Sequence, residues 1–141
     1  MTFEAIAFDL LTALVDSWSL WTHVAGEDAL GRNWRTTSLR LVTSTGPYQP
    51  YEAIVHRATA EVGLPPRAAD ALIARWGELK PWPETQEVMR RLRGRRLAIV
   101  TNCSQRLAEL AAAATGGDFE VIRDGISCRV SFKFKQKDKG R

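Results

Sequence analysis

The stretch Phe3-Glu4-Ala5-Ile6-Ala7-Phe8-Asp9 decides how the rest of the chain is read. It is an apolar run too short for a stable helix and well sized for a buried strand, and it is closed by a carboxylate. The same construction returns at Leu97-Ala98-Ile99-Val100, which leads into Thr101-Asn102-Cys103-Ser104. Phe119-Glu120-Val121-Ile122 supplies a third strand. Helical sequence separates them. Glu84 to Arg93 is a short amphipathic helix ended by Gly94, and Ser104 to Thr115 is a helix with Leu107, Leu110, Ala111 and Ala114 inward, stopped by Gly116-Gly117. Strand, helices, strand, helix, strand is the order of a parallel sheet wrapped by helices.

The interval from Ser17 to about Pro81 is helical throughout. Leu30, Trp34 and Leu41 are loosely spaced, whereas Tyr51, Ile54, Val55, Ala58 and Val62 form a clean helical stripe. Ala69, Leu72, Ile73, Trp76 and Leu79 repeat it, and Gly46-Pro47 and Gly63-Leu64-Pro65-Pro66 break the helices from one another. Pro81-Trp82-Pro83 is a stiff junction. The predicted organisation is an α/β core from residues 1–16 and 81–122, an all-helical cap at 17–80, and a basic tail at 123–141.

A chain of 141 residues, 45% hydrophobic and 26% charged, suits one packed domain or a small core carrying a lid. No window approaches the roughly 18 to 20 apolar residues that cross a bilayer, and Glu4 stands where a signal peptide is basic, so a cytoplasmic location is expected. Cys103 and Cys128 are too few for a disulfide framework or a cysteine-ligated zinc site. Residues 123–141 hold seven Lys or Arg against two Asp, which more than accounts for the net charge of +4. The basicity belongs to the tail, so no specific nucleic-acid partner is expected, only weak salt-dependent attraction through those lysines.

In parallel α/β sheets, groups that act on ligands sit at the carboxyl ends of strands. Here these ends carry Asp9 and Thr101-Asn102, which neighbouring strands would bring into one pocket. A carboxylate is a nucleophile that needs no deprotonating base, and its ester can afterwards be hydrolysed. On composition alone, Asp9 closing a strand and Asn102 capping a helix would account for both residues equally well.

Phe8-Asp9, the helical insert, Pro81-Trp82-Pro83-Glu84 and Thr101-Asn102 together resemble the L-2-haloacid dehalogenase branch of the haloacid dehalogenase superfamily, over residues 3 to about 122. The resemblance implies a Rossmannoid parallel sheet with a helical cap after the first strand, and here an incomplete core. It implies Asp9 as nucleophile, with Thr101 and Asn102 orienting it. Trp34-Arg35 stands where that branch carries a Trp-Arg pair, so Arg35 would hold a carboxylate with two parallel hydrogen bonds, with Arg40 as the fallback. Leu11, Thr12 and Trp18 would line the substrate. The expected reaction is hydrolysis of a small 2-haloacid, with no metal and no cofactor.

Three departures bear on activity. Leu11 occupies the place of the second aspartate of phosphatases, which disfavours phosphoryl transfer. Ala13 lacks the hydroxyl that dehalogenases carry, and Thr12, one position earlier, points to the other side of an extended segment. After the third strand the branch continues to a steadying lysine and an acidic strand. Lys133 lies at a suitable distance, but within an alternating basic run and without the usual proline. Residues 123–141 are therefore read as foreign to the family, the product of truncation, frameshift or a misread exon boundary. An inactive fragment with at most a binding role is the alternative, and a phosphatase ranks third. A third strand left as a sheet edge favours self-association, most simply as a homodimer. His23 and His56 are assigned no role, and Cys103 is read as a small buried residue.

Overall fold

A computed structural model describes residues 5–44 and 46–124, with the backbone alone at 123 and 124. Lys133, Cys128 and the hairpin pattern read in the tail lie outside the described residues. Three parallel strands form the sheet: β1 (Ile6–Phe8), β4 (Leu97–Thr101) and β5 (Phe119–Asp124), in the order β1-β4-β5. Central β4 is apolar almost throughout, with Leu97, Ala98 and Ile99 buried, as a parallel strand covered on both faces should be. The register pairs Ile6 with Leu97 and Phe8 with Ile99, so β1 and β4 end side by side.

The insert is helical as expected: α1 (Ser17–Ala25), α2 (Asp28–Ser44), α3 (Tyr51–Glu61) and α4 (Pro66–Ala74), then a 3-10 turn at Trp76–Glu78. Asp16 caps α1, its carboxylate accepting the Ser19 amide at 3.2 Å, and Gly26 ends the helix at φ +79, in the left-handed region. Helix α1 then lies almost in backbone contact with α2, because Gly31 has no side chain to hold Thr22 away. The stripe Tyr51, Ile54, Val55 and Ala58 is buried, as are Ala69, Leu72, Trp76 and Leu79. These residues join Leu10, Leu14, Ile99 and Leu107 in one continuous apolar cluster, so insert and sheet share a core.

Two features depart from the sequence expectation. Val15–Asp16 (β2) and Lys80–Pro81 (β3) pair antiparallel, so the two chain segments that connect insert to sheet form a short ribbon. Strands of two residues carry no periodicity, and their pairing is purely tertiary. Helix α6 (Gln105–Ala113) buries Leu107, Ala108, Ala111 and Ala112, while Leu110 is 42% exposed. At about 100° per residue the buried stripe is centred well away from Leu110, and its alanines let the helix lie close on β5. The remaining helix, α5 (Thr85–Arg91), buries Met89 and is followed by Gly94 at φ +81. Among the described residues no helix is long and apolar enough to cross a membrane.

Candidate active site

Asp9 follows β1 directly and is exposed. The next residues form a turn, in which the Leu14 and Val15 amides both donate to the Leu10 carbonyl at 3.1 Å. The turn carries Thr12 back toward Asp9, and its hydroxyl donates to Asp9 Oδ2 at 3.0 Å. This corrects the expectation that Thr12 faces away: alternation of sides holds for an extended segment, and residues 11–14 are not extended. Thr12 thus fixes one oxygen of the carboxylate and leaves Oδ1 without a hydrogen bond from any described residue.

The turn is held from outside by Trp82 of the stiff junction and by Thr85 and Ser17, whose hydroxyls the sequence did not single out. Trp82 donates its indole N–H to the Thr12 carbonyl at 2.9 Å and its amide to the Leu14 carbonyl at 3.1 Å. Thr85 Oγ1 donates to the same Leu14 carbonyl at 2.8 Å, and the Ser17 hydroxyl donates to the Leu11 carbonyl. Each such bond contributes about 1 kcal/mol net. Their combined effect is geometric, because the segment returning from the insert clamps the loop that follows Asp9. Leu11 itself is 4% exposed and belongs to the apolar core.

From β4, Thr101 is buried and its Oγ1 lies 3.6 Å from Cys103 Sγ, so its hydroxyl is engaged within its own loop. Asn102 is half-buried and makes no side-chain hydrogen bond to another described residue. Burial pushes the Cys103 thiol up to about 12, which leaves it protonated and inert. Glu52 on α3 accepts from Ser104 Oγ at 2.8 Å and lies 3.7 Å from Arg106 Nη2, a polar contact between insert and sheet.

The insert contributes Arg35, which is 1% exposed. Its guanidinium carbon lies 5.0 Å from the ring centre of Trp18 and 5.8 Å from that of Trp21, two indole faces that hold the cation without neutralising it. Trp18, read from sequence as a pocket wall, is first of all a support for Arg35. Trp21 in turn stacks edge-to-face on Trp34 at 4.6 Å. Burial pulls the Arg35 guanidinium below the usual arginine range, while Tyr51 and Asp9 act to raise it, so both stand within electrostatic reach. Arg35 Nε and Nη1 are nevertheless without a hydrogen-bond partner. Arg40 is on the surface, bonded to Glu61.

The sheet and insert therefore bring an exposed carboxylate steadied by Thr12 within electrostatic reach of a sealed guanidinium, two of whose nitrogens have no hydrogen-bond partner. His56 is 3.3 Å from Asp70 on the surface, and among the described residues no three His, Cys, Asp or Glu are placed to hold a metal ion.

A profile of haloacid dehalogenase-like hydrolases matches residues 3–139, a stretch that includes most of the basic segment. The fold resembles that of the L-2-haloacid dehalogenase from Xanthobacter autotrophicus with chloropropionic acid covalently bound, at TM-score 0.72 and 19% identity, covering 87% of this chain and 57% of that one. A defluorinating L-2-haloacid dehalogenase gives TM-score 0.68 at 19% identity, with 87% and 60% covered. CbbY from Rhodobacter sphaeroides, in complex with phosphate, gives TM-score 0.51 at 21% identity, with 90% and 65% covered. The chain thus spans roughly three fifths of the length of the solved dehalogenases. No curated protein sequence matches it.

Proposed function

We propose that this chain, which belongs to the haloacid dehalogenase-like hydrolase family, carries the nucleophile and the carboxylate anchor of a 2-haloacid hydrolase. An Asp9 oxygen attacks the halogen-bearing carbon, the carbon–halogen bond breaks, and halide leaves with the bonding electrons. Water then attacks the Asp9 ester carbonyl, which releases a 2-hydroxyacid and a proton and restores the carboxylate. Arg35 holds the acid's carboxylate, and Thr12 orients Asp9. Asn102, beside the reacting end of β4, has donors free for the leaving halide or the bound acid.

The observation that carries this reading is the buried guanidinium with two unpaired nitrogens within electrostatic reach of Asp9. A buried cation without a partner is costly, and a bound anion removes that cost. Incubation of the purified protein with 2-chloropropionate, followed by assay of free halide, tests the reaction. Release that Asp9→Asn abolishes is the expected result, and no release above that control removes the claim of turnover.

A second reading, a chain that binds small acids without turning them over, is favoured by a different observation: Ala13 lacks the hydroxyl that the dehalogenase pattern carries at that place. Binding without halide release is the outcome that selects this reading. Phosphatase chemistry ranks lower: one structural neighbour holds phosphate, but this chain has Leu11 where a phosphatase needs an acid.

A further inference from the structure

Six buried side-chain polar atoms without a hydrogen-bond partner occur among the described residues: Nε1 of Trp21 and Trp34, Nε and Nη1 of Arg35, Oγ of Ser38 and the hydroxyl of Tyr51. They belong to residues in mutual contact on α1, α2 and α3. Four of the six can only donate, and the two hydroxyls can donate as well. Unpaired buried polar atoms are rare, each costing about 1–3 kcal/mol. Tyr51 lies close enough to interact with Arg35 and Ser38, but the donors of the group outnumber the two hydroxyl oxygens that could accept from them, which points to an absent acceptor. Nothing apolar or cationic would satisfy them.

We infer that Tyr51 and Ser38 are positioning residues that complete, with Arg35, a cradle of hydrogen-bond donors around the substrate's carboxylate; this rests on the reading of Arg35 given above. Ser38 follows Arg35 by three residues on α2, which places both on one face of the helix. Tyr51 reaches the same point from the first turn of α3, and both Arg35 and Ser38 act on its hydroxyl. Its ring is fixed from the other side, edge-to-face on Trp76 at 5.9 Å, and Trp76 is tied by its indole N–H to the Leu107 carbonyl at 3.1 Å.

A carboxylate has about four lone-pair sites; Arg35 Nη1 fills one of them, and the hydroxyls of Tyr51 and Ser38 supply two more donors. Tyr51 stays protonated, and so a donor, because burial pushes its phenol up to about 12. All three residues are sealed, at 2% exposure or less, so the cradle takes only a compact acid.

The test is calorimetric titration of the full chain with propionate, an unreactive acid, and with propionamide, its neutral counterpart. Wild type should bind propionate and discriminate against the amide. Tyr51→Phe keeps the ring on Trp76 and should weaken propionate binding about tenfold or more, with Ser38→Ala a smaller loss, and neither should affect propionamide. A spectroscopic measurement covers the case in which Tyr51→Phe fails to fold. With Tyr48→Phe in place, Tyr51 is the one tyrosine left in the sequence, and propionate should red-shift its ultraviolet difference spectrum. Unchanged propionate affinity in both variants, or no tyrosine signal, overturns this inference and leaves the Arg35 anchor standing. No propionate binding by wild type overturns both.

Discussion

Replacing Arg35 by methionine separates a ligand-binding arginine from a structural one. In the ligand-free protein two buried donors of Arg35 are unpaired, a penalty of about 1–3 kcal/mol each. Against this stand cation–π contacts to Trp18 and Trp21 at 5.0 and 5.8 Å, worth about 0.5–2 kcal/mol each. Attraction to Asp9 adds little, because that carboxylate is exposed and screened by solvent. The opposing contributions nearly cancel. Arg35→Met, which fills a similar volume, should therefore leave stability in carboxylate-free buffer within about 1 kcal/mol of wild type, or raise it by about as much. Removing one member of a satisfied buried ion pair instead costs about 3–5 kcal/mol. Urea unfolding followed by far-ultraviolet circular dichroism distinguishes these outcomes. The same experiment with propionate at a hundredfold excess over its dissociation constant should stabilise wild type by about 2.7 kcal/mol and the variant not at all. A loss of about 3 kcal/mol or more without ligand, or an equal gain from propionate in both proteins, would refute the reasoning.

Two further predictions concern the scaffold. A methyl group at Gly31 would stand 2.3 Å from Thr22 Cα, so Gly31→Ala must drive α1 from α2 and should cost about 1–3 kcal/mol in urea unfolding; wild-type stability would show that the helices do not approach so closely. Raising pH should destabilise the fold from about pH 9 upward, because the unfolded chain loses the Cys103 and Tyr51 protons near their ordinary values of 9.0 and 10.0 while burial holds both in the folded chain to about 12. The stability is full below those ordinary values and falls by at most about 1.4 kcal/mol per pH unit for each group. Cys103→Ala should remove the earlier part of the decline and Tyr51→Phe the later part, and a pH profile unchanged in both variants would count against the buried placement of these groups.

The strands were legible because each is a short apolar run with clear ends, and central β4 is buried almost throughout. The insert was legible because its stripes extend over whole helices. The turn after Asp9 was not. Nothing in Leu10-Leu11-Thr12-Ala13-Leu14 forbids extended backbone; the bonds that hold the turn come from Trp82 and Thr85, some seventy residues away in sequence. Reading Thr12 on the extended pattern therefore placed its hydroxyl on the wrong side. The β2–β3 ribbon was hidden for the same reason, and Leu110 was read inward because leucine outranks alanine in hydrophobicity, whereas close approach to β5 selects the alanines.

The polar atoms of the cap were hidden for a different reason. Ser38 left no mark in a reading that looked for apolar spacing, and Tyr51 was counted as one more apolar residue in a clean stripe. Both side chains end in hydroxyls on the inward sides of α2 and α3, beside an arginine likewise turned inward. Folding alone gives no reason for this choice, since leucine or phenylalanine at those positions would bury as much surface without unpaired donors. Local rules fail where a site imposes its own demand, and three such failures at one contact have a common cause if the missing acceptor is an anion. The buried cation then has a purpose that stability does not supply, which is why removing it is expected to cost binding and little else.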